Sequence, residues 1–225
     1  MIIITGASRG IGKFLFHSFR AENESLIGTY FKTPPEPGDG LFQVDVTSYE
    51  QVSALIAQQA PKLTDITLIN CAGINYNAFA HKSDPLKWKE VVETNLIGTY
   101  NWIRAVLPLM REQKFGRIIN FSSVVAVRPT PGISPYAASK SALWGMTRSI
   151  AVENAAMNVT INNINMGYSV LGMIEMVPEE YKKSIIAQIP AGCLCEPADI
   201  LNTVKYIRAT RYLTGSSIDL NGGLI

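Results

Sequence analysis

The chain has 225 residues, 47% of them hydrophobic and 17% charged, a composition that builds one sizeable core and excludes a disordered chain. Its 20 Lys and Arg against 18 Asp and Glu leave a net charge of +2 with no basic run, which argues against a nucleic-acid partner. The longest stretch without a charge, 154–174, carries Asn154, Asn158, Asn162, Asn163 and Asn165 and is too polar to span a membrane. Three cysteines (Cys71, Cys193 and Cys195) and two separated histidines (His17 and His81) give no metal-ligand spacing, so no metal is expected. Sparse thiols and no signal-peptide pattern point to a reducing cytoplasm. Acid–base chemistry has to come from groups other than histidine, unless the fold repositions one of the two.

Met1 to Ile4 reads as a buried strand, and Thr5-Gly-Ala-Ser-Arg-Gly-Ile-Gly12 follows at once. Ile11, Leu15, Phe16 and Phe19 then recur at helical spacing to about residue 22. A second strand is expected over 26–30, a Pro- and Gly-rich loop over 34–40 and a third strand over 41–44. After Asp45-Val46-Thr47 comes a helix with Val52, Leu55 and Ile56 on one face. A fourth strand, 66–69, runs into Asn70-Cys-Ala-Gly73. The spacing predicts a long helix over 88–113, a strand over 117–121, a helix over 135–154 and a sixth strand over 159–164. A loop-rich excursion from 167 to about 196, a helix over 197–208 and a closing strand over 216–220 complete the chain. Short apolar strands alternating with helices, without repeat or linker, call for one α/β domain over 1–225, a parallel sheet with helices on both faces. Such sheets bind ligands beyond the carboxyl ends of their strands.

Gly6-x3-Gly10-x-Gly12 sits between a strand and a helix, where glycines let the backbone approach a phosphate and the helix N-terminus offers free N–H groups. The spacing differs from the common G-x-G-x-x-G, so a plain strand-to-helix turn is the competing reading. Dinucleotide sites for NAD place an acid at the end of the second strand. Here that region is Gly28-Thr29-Tyr30-Phe31-Lys32, with no acid. Arg9 and Lys32 would neutralise a 2′-phosphate instead, which selects NADP(H); the alternative is that both are solvated surface cations.

Tyr136 and Lys140 lie four apart and share a helix face. A free tyrosine titrates near 10, too high for proton transfer at neutrality, and an adjacent ammonium lowers that value. A serine at the end of the preceding strand can hold a carbonyl oxygen while the tyrosine protonates it; Ser123 fills this place, and Ser122 offers the same hydroxyl one residue earlier. A Tyr/Lys pair at this spacing also arises by chance.

Taken together, Thr5–Gly12, Asn70-Cys-Ala-Gly73, Asn95, Ser123, Tyr136-Ala-Ala-Ser-Lys140 and the closing Asn221-Gly-Gly223 resemble, in order, the motifs of the short-chain dehydrogenase/reductase family. The resemblance covers essentially the whole chain. It implies a Rossmann-type, doubly wound sheet of about seven strands and hydride transfer between NAD(P) and a carbonyl or alcohol. Tyr136 would be the general acid/base, Ser123 would orient the carbonyl, and Lys140 would hold the nicotinamide ribose and depress the tyrosine. Asn95 would hold a water linking Lys140 to solvent. Gly6, Ser8, Arg9, Gly10, Ile11 and Gly12 would form the phosphate turn. Asp45 and Val46 would meet the adenine, and Asn70, Ala72, Gly73 and Gly167 would line the cofactor's path. Asp45 could instead serve as a helix cap.

Three positions depart from the family pattern. Met166-Gly167 replaces Pro-Gly, Leu171 stands where a threonine meets the nicotinamide carboxamide, and Cys71 replaces a second asparagine. Ser169 or backbone groups would then orient the nicotinamide. The excursion over 168–195 is expected to form a substrate lid, with Met173, Ile174, Met176, Val177, Tyr181, Ile185 and Ile186 either covering a substrate or packing on the protein's own core.

Residues 189–199 and the glycine turn look like those of the beta-ketoacyl-[acyl-carrier-protein] reductase branch. That implies NADPH-dependent reduction of a 3-oxoacyl thioester, as in fatty-acid or polyketide biosynthesis. A carrier protein would need a basic landing patch, for which Lys114 and Arg117 are the candidates; the arginine that branch carries near Met157 is missing. Sugars, ring ketones or another biosynthetic carbonyl remain alternatives, as does a non-catalytic NADP(H)-binding regulator. Family members pair through the two long helices, so a homodimer or homotetramer is expected.

Overall fold

The structure is a computed structural model that describes every residue except Met173, Glu175, Met176 and Ile225. Seven strands, β1 (Ile2–Thr5), β2 (Leu26–Tyr30), β3 (Phe42–Gln43), β4 (Thr67–Asn70), β5 (Gly116–Ser123), β6 (Val159–Met166) and β7 (Ser217–Leu220), form one sheet. All pair in parallel, in the order β3-β2-β1-β4-β5-β6-β7. Parallel strands covered on both faces need side chains that tolerate burial, and every residue of β1, β4, β5 and β6 is buried.

The crossover helices divide between the two faces. Val52, Leu55 and Ile56 of α2 (Tyr49–Gln59), Trp102, Ile103, Val106 and Met110 of α4 (Gly98–Gln113) and Ile150 of α5 (Ser134–Asn154) share one core with Ile3, Leu68, Ile118 and Ile161. On the opposite face Leu15, Phe16 and Phe19 of α1 (Gly10–Ala21) join Ile200, Val204 and Ile207 of α7 (Pro197–Ala209) over Ile2, Ile4 and Ile69. Successive strand residues point to opposite faces, which is why Ile3 and its two neighbours separate this way.

Strand order reverses between β1 and β4, so the crevice between their carboxyl ends is the topological switch point. Thr5 binds its walls together: its Oγ1 accepts from the N–H of Cys71 and of Ala72, each at 3.1 Å.

The helix expected over 88–113 starts earlier and is interrupted. Asp84 caps α3 (Pro85–Val92) by accepting from Leu86 N–H, and a π-helical turn, Glu93–Ile97, separates α3 from α4. Periodicity alone does not register a π turn, because one inserted residue leaves the apolar stripe nearly intact. The excursion contains α6 (Glu179–Ile186), which has no buried residue. Met173 and Met176 of the expected lid lie outside the described residues. No helix among the described residues is long and apolar enough to cross a membrane.

Candidate active site

The glycine turn is forced by close approach. Gly6 has φ +66°, and a Cβ there would lie 2.9 Å from Ala72 Cα. A Cβ on Gly12 would sit 2.2 Å from the Gly6 carbonyl oxygen. Only glycine fits either place. Ala7 N–H donates to Thr29 O at 2.7 Å, which draws the turn against the end of β2. The first turn of α1 holds no acidic residue, so its N–H groups face an anion without competition from a carboxylate. Arg9, at the N-cap, donates to Gly73 O at 3.4 Å, across the crevice. Asn70 donates to Asn120 Oδ1, while its own Oδ1 is buried with no partner among the described residues, an acceptor for a ligand or water to complete. A cradle that tolerates no Cβ, a bare helix N-terminus and an orphaned buried acceptor fit a dinucleotide.

Lys32 lies exposed beyond β2, over the Phe31 ring and 3.3 Å from Glu90 of α3, so a 2′-phosphate would draw it from that carboxylate. Asp45 accepts from Thr47 N–H and Thr47 Oγ1, while Ser48 is the N-cap of α2; the capping role open to Asp45 belongs to Ser48. Val46 packs its side chain against Gly98, and its carbonyl accepts from Asn101. Gly167 lies at the end of β6, where a Cβ would meet Asn221 Cα at 2.7 Å.

Three elements bring Ser123, Tyr136, Lys140 and Asn95 together. Ser123 ends β5, Tyr136 and Lys140 lie in the first two turns of α5, and Asn95 lies in the π turn. Ser123 Oγ accepts from Val125 N–H at 3.3 Å, and the hydroxyl lowers the Tyr136 phenol, so the two groups face one site. Lys140 Nζ lies 5.5 Å from the Tyr136 ring centre and donates to Phe121 O at 2.6 Å. Gly73 closes this corner: a Cβ there would be 3.3 Å from Asn95 Oδ1 and 3.8 Å from Lys140 Nζ.

The electrostatics differ from the expected tuning. Burial pushes the Tyr136 phenol up to about 12, a rise that the Ser123 hydroxyl only partly offsets. Burial likewise pushes Lys140 down to about 8. The ammonium lies over the Tyr136 ring, and desolvation dominates at both groups. Cys71, the departure from the second motif, is raised by burial and opposed by the charge of Lys140.

Asn95 also does more than expected. Its Nδ2 donates to Ile74 O at 2.9 Å and Ser139 Oγ at 3.1 Å, and its Oδ1 accepts from Ile74 N–H at 2.9 Å. One lone pair on Oδ1 is left for a water. Ser139 and Ile74 are thus site residues that sequence reasoning missed; Ser139 stood inside Tyr136-Ala-Ala-Ser-Lys140 as an unassigned hydroxyl.

Other expectations change. Arg117 is 5% exposed and donates to the carbonyls of Gly116, Asn158 and Arg208. With Lys114 it lies at the amino end of β5, opposite Ser123, so the two cannot form a landing patch beside the site. His17 is not isolated: its Nε2 is 3.4 Å from Asp39 Oδ1. All three cysteines are free. Ser169 is buried and accepts from Leu171 N–H at 3.2 Å, while Leu171 packs into the core beside α1. In the lid, Ile174 is buried, Ile185 packs on Val124, Ile189 and Leu224, and Tyr181 is 65% exposed, so its described residues divide between the two readings.

The short chain dehydrogenase family model matches residues 1–182. The chain is 36% identical to an acetoacetyl-CoA reductase of Shinella zoogloeoides, over 98% of this chain and 96% of the relative. It is 34% identical, with the same coverage, to an acetoacetyl-CoA reductase of Rhizobium meliloti. It is 32% identical to the 3-oxoacyl-[acyl-carrier-protein] reductase FabG of Haemophilus influenzae, over 99% of this chain and 96% of that relative. A switch-point crevice with a glycine turn on one wall and Ser123, Tyr136 and Lys140 on the other, matched by these relatives along its length, makes the chain an oxidoreductase of the short-chain dehydrogenase/reductase family, close to the beta-ketoacyl-[acyl-carrier-protein] reductase branch.

Proposed function

We propose that the protein reduces a 3-oxoacyl thioester to the 3-hydroxyacyl thioester with NADPH in the cytoplasm. The observation that carries this reading is the convergence of Ser123 at the end of β5 with Tyr136 and Lys140 in the first turns of α5, Lys140 Nζ lying 5.5 Å from the Tyr136 ring centre. Held at the glycine turn by Gly6, Gly10 and Gly12, NADPH would supply the hydride. Ser123 then holds the carbonyl oxygen through its hydroxyl, and Tyr136, a neutral phenol at physiological pH, donates its proton to that oxygen. Lys140, cationic at neutrality, binds the ribose and stabilises the phenolate left behind. Asn95 fixes Ser139 and Ile74 around the lysine and offers a site for the water that returns the proton.

NADPH over NADH is supported by the acid-free end of β2 and by two cations, Lys32 just beyond it and Arg9 in the glycine turn. With Lys114 and Arg117 at the far end of the sheet, a coenzyme A thioester is the first substrate to test and a carrier-bound one the second. Ile97 and Tyr100 on the π turn and α4, and Val152 on α5, are exposed apolar side chains that support pairing into a homodimer or homotetramer. The test is NADPH and NADH oxidation with acetoacetyl-CoA, a carrier-bound 3-oxoacyl thioester, a sugar and a ring ketone. Turnover of the thioesters with NADPH preferred by about tenfold or more is expected, because loss of the 2′-phosphate contact is worth at least that factor. A preference for NADH overturns the cofactor assignment. Tight NADPH binding without turnover of any carbonyl would instead make the protein a regulator.

A further inference from the structure

The face of the sheet that carries α5 changes chemistry along each strand. Going toward the carboxyl ends, β5 presents Ile118, Asn120 and Ser122 to this face, and β6 presents Ile161, Asn163 and Asn165. The isoleucines join the apolar core under Ile150, in the last turns of α5. The polar residues sit under the turns that carry Tyr136 and Lys140.

They form two rungs in register. In the lower, Asn70, Asn120, Asn163 and Ser217 are direct partners across β4, β5, β6 and β7. Asn70 donates to Asn120, Asn120 to Asn163, and Asn163 to Ser217, at 2.9, 3.2 and 3.0 Å. Thr147 of α5 joins this rung by donating to Asn163 Oδ1 at 2.8 Å. In the upper, Ser122, Asn165 and Asp219 are partners across β5, β6 and β7. Trp144 of α5 spans it, its Nε1 donating to Ser122 Oγ at 3.2 Å and to Asn165 Oδ1 at 3.0 Å. Asn165 in turn donates to Asp219 Oδ1 at 2.9 Å, and Ser122 Oγ donates to the Lys140 carbonyl at 3.1 Å.

An apolar contact lets a helix slide by fractions of an ångström at little cost, whereas directional hydrogen bonds do not. Asn165 is fully buried, so leaving its amide unpaired would be expensive, and the carboxylate of Asp219 polarises that amide toward the indole. Ser122 immediately precedes Ser123, and Trp144 is one turn beyond Lys140. We propose that Trp144 and Asn165 are positioning residues for the reduction: with Ser122 they clamp α5 to the ends of β5 and β6 and set the distance between Ser123 and the Tyr136/Lys140 pair. Neither residue touches the reacting atoms.

This inference rests on the proposed reductase activity, and the experiment separates the two. Trp144→Phe keeps the ring and removes the donor; Trp144→Phe/Asn165→Leu also removes the abandoned amide. Thermal midpoints and steady-state NADPH-dependent reduction of acetoacetyl-CoA are measured for each. Trp144→Phe lowers kcat about tenfold, consistent with sub-ångström misplacement, and leaves KM for NADPH within about twofold. The double variant recovers the midpoint, because replacing both partners by apolar groups removes the unpaired burial, while kcat stays low. Asp219→Ala, at the exposed end of the rung, leaves folding intact and lowers kcat about threefold by releasing the polarised amide. It decides the matter if the buried variants fail to fold. Recovery of kcat together with the midpoint, or kcat in Trp144→Phe or Asp219→Ala equal to that of the wild type, shows the rungs to be structural only and overturns the clamp. A wild type that turns over no 3-oxoacyl thioester overturns the functional reading, and the clamp's catalytic role with it.

Discussion

The wall formed by β5, β6 and α5 and the lid over 168–195 border the same crevice and are built on opposite physics. In the wall Ser123, Ser139 and Lys140 are buried, as is Asn95 of the π turn packed against it, and Asn95, Ser139 and Lys140 bond to partners from other parts of the chain. In the lid, α6 buries no residue, Tyr181 projects into solvent, and attachment runs through Ile174, Ile185 and Ile189 and the short pairing of Ser169 with Cys195. Chemistry that tolerates errors of a fraction of an ångström at most belongs on the wall. Selection among acyl groups needs adjustable apolar contact and belongs on the lid. Substitutions in the two regions should therefore fail differently: wall variants in kcat, lid variants in KM for the thioester.

The largest effects are expected at the glycine turn, across the crevice from the wall, and at Lys140 in the wall itself. Gly12→Val places a side chain into the Gly6 carbonyl, so NADPH binding, followed by its fluorescence enhancement, should be lost. Lys140→Met removes the proposed ribose ligand and the cation over the Tyr136 ring, and should lower kcat/KM about a thousandfold.

The pH profile comes next in size. Lys140 is held at about 8 by burial, so it is cationic below that pH and neutral above it, while Tyr136 at about 12 stays protonated throughout. In the reductive direction kcat/KM should be flat near neutrality and fall as pH rises through about 8, with the tyrosine still able to donate. A profile flat to pH 10 would show that Lys140 keeps its proton.

The lid should respond least in stability. Tyr181→Ala, at a 65% exposed position, should change stability by no more than about 0.5 kcal/mol while raising KM for longer acyl thioesters several-fold. Equal effects on wall and lid, read as a common loss of kcat, would erase the distinction between them.

Much of the crevice was legible because its residues sit at fixed spacing on elements with regular periods. Gly6, Gly10 and Gly12 mark a turn, and Tyr136 and Lys140 share a helix face. The seven strands followed from short apolar runs alternating with helical stripes. What stayed hidden depended on distance across the fold. Asn163 and Asn165 counted in the sequence only as polarity that excludes a membrane span, and only strand register reveals that they complete rungs begun by Asn120 and Ser122. Arg117 looked like an exposed cation, since nothing local shows its guanidinium turned onto the carbonyls of Asn158 and Arg208. The balance at Tyr136 was misjudged for a related reason: a sequence shows that a lysine is near but not how much water both groups lose.

The central claim is that Tyr136 delivers the proton from this wall. The most direct measurement compares wild type with Tyr136→Phe in NADPH-dependent reduction of acetoacetyl-CoA, with NADPH affinity determined in parallel. Loss of about a thousandfold in kcat at unchanged NADPH affinity is the predicted result. Retention of kcat within about tenfold of the wild type would mean that the proton comes from elsewhere and would contradict the account.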